Sequence, residues 1–284
     1  MKNTLIVLAL ITGLISCESE IISGNTPPVD ETIEDITIQN YINKLYISLL
    51  GREPDSVEIQ LAFTDLRNSE FSISARKSLI QTIQEGSAYH HRFYERARAD
   101  LLNGLDTNQI NQRINTLVFL YSQTQNQDEK DAYAEEIGRL DTLRKSDDHL
   151  ISGLATQAEV YARCIDNSFY DEINMGADNF VISSFQHFLF RYPTTEELEN
   201  GRNMVNGFEA SLFLKTGNSK DQYLDIFFEH SGYFEGQVRQ VFNRQLYREP
   251  TQAELVEFTQ DYYTSGNYPA LEREILSLDE YAGL

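Results

Sequence analysis

Five histidines, two cysteines and 44 acidic residues are the side chains here that could do chemistry, and their spacing decides which chemistry. His90, His91, His149, His187 and His230 form no His-Glu-x-x-His pattern, so a helical zinc site built on two imidazoles is not encoded. His91 and Glu95 stand one helical turn apart and read as an exposed pair rather than half of a metal site. His187, inside the aromatic stretch Phe185 to Phe190, reads as a half-buried imidazole bonded to a carbonyl. Cys164 follows Arg163, a cation able to depress a thiol pKa, but a free cysteine of this kind is expected to be buried and inert. Neither a Gly-x-Ser-x-Gly elbow nor a Cys-x-x-Cys-His haem attachment occurs. Carboxylates are too numerous for a glycosidase pair to be picked out. The expectation is a chain with no catalytic residue, no metal and no cofactor.

Cys17 has a different context. Lys2 precedes an apolar run from Leu5 to Ile15, and the segment closes on Leu14-Ile15-Ser16-Cys17. A run this short falls below the roughly 20 residues that a membrane span needs and fits a secretory signal. The four residues resemble the lipobox of bacterial lipoproteins, where cleavage falls before the cysteine and its thiol carries a diacylglycerol. That resemblance implies a signal peptide over 1–16, lipid attachment at Cys17 and membrane contact through acyl chains, several of which hold durably where one holds marginally. Glu18 and Glu20 follow, then Asp30, Glu31, Glu34 and Asp35, with no Lys or Arg between Cys17 and Asp35. This cluster resembles the export signal that sends Bacteroidota lipoproteins to the outer face of the outer membrane. Ser23 to Pro28 has the composition of a flexible linker, so residues 17–35 are expected to form an acidic tether.

Charge narrows the partners. With 23 Lys and Arg against 44 Asp and Glu the chain carries −21, a surface that repels phosphate backbones and anionic headgroups. Nucleic acid is excluded as a partner on that ground. Hydrophobic residues make up 41% of the sequence, enough for a substantial core, and lipidation of Cys17 would leave only Cys164, so no intrachain disulfide is expected.

The elements that would position any site are announced by a phrase that occurs three times: Leu50-Gly51-Arg52-Glu53-Pro54-Asp55, Leu189-Phe190-Arg191-Tyr192-Pro193-Thr194 and Leu246-Tyr247-Arg248-Glu249-Pro250-Thr251. Asp55, Thr194 and Thr251 are each followed three residues later by Glu58, Glu197 and Glu254, the spacing of a capping box. The proline before each cap is expected to end the incoming helix, and the arginine to sit in that helix's last turn facing the carboxyl-end dipole. Ile38, Tyr41, Ile42, Leu45 and Leu49, and again Val238, Val241, Phe242 and Leu246, keep helical spacing upstream of the first and third corners. Ser87-Ala88-Tyr89, Ser231-Gly232-Tyr233 and Ser277 to Tyr281 mark a second kind of corner. Together these phrases resemble the helical repeat modules of unknown function found in bacterial surface proteins.

Between the first two copies, Ile110, Ile114, Leu117, Val118 and Tyr121 mark one helical face with Asp106 or Thr107 as cap, and a second helix is predicted from about Asp128 with Tyr133, Ile137 and Leu140 on its stripe. These make an antiparallel hairpin, followed by a return helix from about Asp147 through Tyr161. No stretch alternates with a period of two. The fold is expected to be all-α, a multi-helix array of helix-corner-helix units with an inserted helical hairpin: 36–104 first unit, 105–165 hairpin and return helix, 166–284 a pair of units.

Sixteen Tyr and 16 Phe without one Trp weaken a sugar-stacking role. Arg52, Arg191, Tyr192, Tyr247 and Arg248 are the candidate partner contacts at the corners, against the alternative that the arginines tie adjacent helices together through carbonyl bonds. The functional expectation is a lipid-anchored binding or scaffold protein of the outer membrane, facing the cell exterior and docking as an accessory subunit on an outer-membrane protein complex. The alternative is an extracellular polysaccharide-binding or polysaccharide-degrading lipoprotein.

Overall fold

The computed structural model describes residues 33–284. Cys17, Glu18, Glu20 and nearly all of the expected tether lie outside the described residues. Among those described, sixteen helices account for the ordered backbone apart from one two-stranded hairpin, so the all-α expectation holds.

Each corner phrase does join two helices, α1 (Asp35–Leu50) to α2 (Ser56–Asn68), α10 (Ala177–Leu189) to α11 (Thr195–Val205), and α13 (Ser231–Leu246) to α14 (Gln252–Ser265). All three capping boxes form. The helix stops earlier than the proline, however. Gly51, Phe190 and Tyr247 adopt left-handed backbone with φ of 71°, 54° and 56°, and this turn ends the helix before the arginine is reached. The arginines therefore lie beyond the helix end, not in its last turn, and the proline only stiffens the exit toward the next cap.

The repetition extends to packing. α3 (Ile73–Gln84) and α4 (Ser87–Leu101) complete the first unit; α12 (Lys220–Glu229) and α13 complete the second; α15 (Tyr268–Leu276) and α16 (Asp279–Ala282) complete the third. In every unit the first helix packs on the second and fourth, the second on the third, and the third on the fourth. α13 is both the fourth helix of the second unit and the first of the third. The fourth helix opens each time on a buried tyrosine in its first turn, Tyr89, Tyr233 or Tyr281. Burying these rings holds the corner in place.

The insertion is an antiparallel hairpin of α5 (Thr107–Gln123) and α6 (Gln127–Arg144), with Asp106 and Asn126 as caps. The predicted return helix is two helices, α7 (Ser146–Ile151) and α8 (Gln157–Ile165), because Gly153 turns left-handed at φ 70° and Thr156 caps a new start with Glu159. α9 (Ser168–Ile173) packs on α8, so the insertion runs past residue 165 to the start of α10. The helical hairpin is not the only interruption. Between α11 and α12, β1 (Ala210–Leu212) and β2 (Lys215–Gly217) pair antiparallel with Leu212 opposite Lys215, a feature too short to show as alternation in the sequence. The tether boundary also moves, since α1 already begins at Asp35.

Two hydrophobic clusters form the core, a large one running from α4 to α15 and a smaller one of α1 to α3 closed by Leu276, Tyr281 and Ala282. The first unit thus packs on the third. The Tyr41 hydroxyl donates to the Leu276 carbonyl at 3.1 Å, buried Arg76 pairs with Asp279 at 2.5 Å, and the Tyr89 hydroxyl donates to Glu272 at 2.6 Å. Residues 33–284 accordingly fold as one compact unit.

Candidate binding surface: the repeat corners and the projecting hairpin

Every corner is built by the same clamp. Arg52 donates through both terminal nitrogens to Glu58 at 2.7 and 2.7 Å, Arg191 to Glu197 at 2.7 and 2.7 Å, and Arg248 to Glu254 at 2.9 and 2.7 Å. One oxygen of the same glutamate accepts the capping residue's backbone N–H, from Asp55, Thr194 or Thr251. The guanidinium also donates to the carbonyl of the next residue, Glu53, Tyr192 or Glu249. Beneath it lies an aromatic ring six residues earlier, Tyr46, Phe185 or Phe242, at 5.5, 4.9 and 5.0 Å. The bidentate pair and its hydrogen bonds favour the ionised carboxyl, so Glu58 is held below its ordinary range, and Glu197 and Glu254 are held at about 2. At the third corner Glu280 from α16 adds a further carboxylate to Arg248 at 2.6 Å.

The three predicted arginines each hold cap and carbonyl together at their corner, Arg248 tying in α16 as well, while their side chains stay partly in solvent. The aromatic at minus six and the glutamate at plus six were both legible as spacing, since aromatic-x5-Arg-x5-Glu recurs in all three phrases. The tyrosines behave differently. Tyr192 is 69% and Tyr247 84% exposed, side chains left in solvent on backbone that the clamp pins.

His91, His187 and His230 have structural partners. His91 donates from Nδ1 to the Asp147 carboxylate at 2.8 Å, while Glu95 faces Arg92, so the His91 and Glu95 pair does not form. His187 lies 3.2 Å from the Tyr170 hydroxyl rather than on a carbonyl, and burial lowers its pKa. His230 Nδ1 accepts the Gly232 N–H and caps α13. Cys164 is buried, and desolvation pushes its thiol up to about 12 despite Arg163. Asp166 is raised by burial, opposed by Arg139 at 3.2 Å and Lys220 at 3.6 Å, in a hollow of about 280 Å3. A larger open cleft of about 490 Å3 lies against α1, α2 and α3, floored by Tyr46, Ala62 and Leu66, with Asp65 and the Arg52-clamped Glu58, held below its ordinary range, as its carboxylates. Among the described residues no group of three or more His, Cys, Asp or Glu could hold a metal ion, and no helix is long and apolar enough to cross a membrane.

No family model, curated protein or solved structure matches the chain.

Besides the corner tyrosines, the outer half of the α5–α6 hairpin stands bare. Ile110 is buried at its base and Ile114 and Leu117 are half-buried, but Val118, Phe119, Leu120 and Tyr121 are all exposed. Val118 and Tyr121 thus leave the covered stripe on which the spacing had placed them. Phe119, the most exposed of the four at 62%, lay off that stripe and carried no periodic signal.

Proposed function

We propose that this chain is a lipid-anchored binding or scaffold protein of the bacterial outer membrane, facing the cell exterior and docking as an accessory subunit on an outer-membrane protein complex. The anchor reading rests on Leu14 to Cys17 and the acids Glu18 and Glu20. The docking reading is carried by Tyr247. It is a non-glycine residue at φ 56°, where the Cβ meets the backbone at a cost of roughly 1 kcal/mol that glycine avoids. At 84% exposure its ring recovers little of that cost through packing within this chain. A large aromatic kept in strained backbone and left in water is suited to fill a pocket on another protein. The clamp favours this further, because a side chain on rigid backbone loses less entropy on binding.

The test is affinity purification of the natively lipidated full chain, wild type against Tyr247→Gly and Tyr192→Ala, followed by mass spectrometry. A stoichiometric envelope protein should accompany the wild type and be depleted about tenfold or more with Tyr247→Gly, a loss of the order of one hot-spot side chain. Tyr247→Gly should at the same time be no less stable than the wild type, which separates lost contact from lost fold. Failure of any protein to co-purify, or undiminished recovery by both variants, would remove the docking reading. For the anchor, Cys17→Ser should release the protein from the envelope or leave it uncleaved, and external protease should reach the wild type on intact cells. Protection on intact cells with digestion after lysis would place it on the periplasmic face instead.

A further inference from the structure

The bare outer face of α5 is the surface that the corners do not explain, and its charge identifies an occupant. In 17 residues α5 carries one charge, Arg113, which Glu172 of the same chain holds at 2.9 and 3.1 Å. From Ile114 to Gln127 no residue is charged, in a chain that is 24% charged with a net −21. Two copies of so acidic a protein repel wherever their ordinary surfaces meet. They can touch where charge is missing, and the stretch on α5 is such a place. A basic partner would instead be drawn to the acidic remainder of the surface.

We propose that α5 pairs with α5 of a second copy of this chain, the two hairpins crossing antiparallel about a two-fold axis at Val118 and Phe119. Asn115, Val118, Phe119 and Ser122 are exposed and share one face at spacings of i, i+3, i+4 and i+7. The face is symmetric about its centre. An antiparallel copy sets Val118 against the second Phe119 and Asn115 against the second Ser122, so apolar meets apolar and an amide meets a hydroxyl. Such self-complementarity is what an isologous contact requires. The hairpin can reach another because no side chain between Asn111 and Arg139 is buried in its own body. A bilayer is the weaker occupant, since the end of the hairpin, Gln123-Thr124-Gln125-Asn126-Gln127, would lead with amides that hydrocarbon does not satisfy. The inference stands on α5 and not on the corner tyrosines, so either can fail without the other.

The experiment uses the full chain in its own cells with one new thiol, Val118→Cys, and mild oxidation. Cys164 is buried and does not compete. The expected product on a non-reducing gel is a species of twice the monomer's own mass, absent for Leu154→Cys on another exposed site and reduced about tenfold or more when Phe119→Glu is added. A disulfide adduct with a different protein would overturn the inference in favour of a heterologous partner. A thiol that reacts freely with maleimide while forming no adduct would overturn it outright. One shielded from maleimide until detergent is added, again without adduct, would replace the second copy with the bilayer.

Discussion

Replacing Gly236 with Ala should destabilise the junction between the second and third units. Gly236 lies mid-way along α13, where that helix crosses the end of α10, and an added Cβ would sit 1.8 Å from the Phe188 carbonyl oxygen and 2.8 Å from its carbon. Both obstacles are backbone, so no rotamer change relieves them. Contacts under 3.0 Å are essentially never seen, and α13 would have to retreat by more than 1 Å. That retreat opens the ring cluster of Phe188, Phe227, Phe228 and Tyr233, where Phe188 and Phe228 now stand 5.1 Å apart. A gap of more than 1 Å forfeits about half or more of each dispersion contact across it, and overpacking of a core costs about 3 kcal/mol at the upper end of its usual range. The better helix propensity of alanine returns about 1 kcal/mol. The net loss of about 2 kcal/mol should lower Tm by about 4–8 °C in a body of this size. Gly138→Ala is the matched control, because it sits inside exposed α6 with nothing within 4 Å of its added Cβ. That variant should gain about 0.5–1 kcal/mol. Urea unfolding followed by circular dichroism compares all three chains. Equal stability of Gly236→Ala and the wild type would refute the close approach of α13 to α10.

The remaining predictions concern charge and reactivity. Glu197 and Glu254 titrate in the folded chain at about 2 against an ordinary 4.5, so their stabilisation is present above about pH 4.5 and is lost as pH falls toward 2. Because these pairs are partly in solvent, Glu197→Gln should cost about 1 kcal/mol at pH 7, and should flatten the urea midpoint's decline with acid. Glu272→Ala removes the buried partner of Arg96, with the Tyr89 hydroxyl bonded to the same carboxyl, and should destabilise by about 3–5 kcal/mol. A loss under 1 kcal/mol in denaturant titration would mean that the arginine finds water. Cys164, buried with its thiol pushed up to about 12, should resist alkylation at pH 8 in the folded chain and react on unfolding, read by peptide mass spectrometry.

Interactions closing within one turn of chain were legible in the sequence. The capping boxes of Asp55 with Glu58, Thr194 with Glu197 and Thr251 with Glu254 depend on a three-residue spacing, and each formed as written. The helical stripes that ended at these corners and the hairpin were legible for the same reason, that a periodic apolar pattern and a local cap compete with little else. The clamp was half legible. Its residues recur at fixed spacing, but joining Arg191 to Glu197 across a corner requires the left-handed turn at Phe190, and nothing in an aromatic residue announces positive φ.

Contacts between distant segments were decided by tertiary structure alone. Tyr41 meeting Leu276 and Arg76 meeting Asp279 put the first unit against the third, which no local pattern encodes because every repeat unit offers similar apolar faces. Exposure was decided there too. Val118 and Ile110 both fit the apolar pattern of α5, yet one is in solvent and the other in the core, because only the base of the hairpin reaches the body. Sequence sets which helices form and how they cap; how much of each face finds a neighbour depends on where the rest of the chain comes to lie.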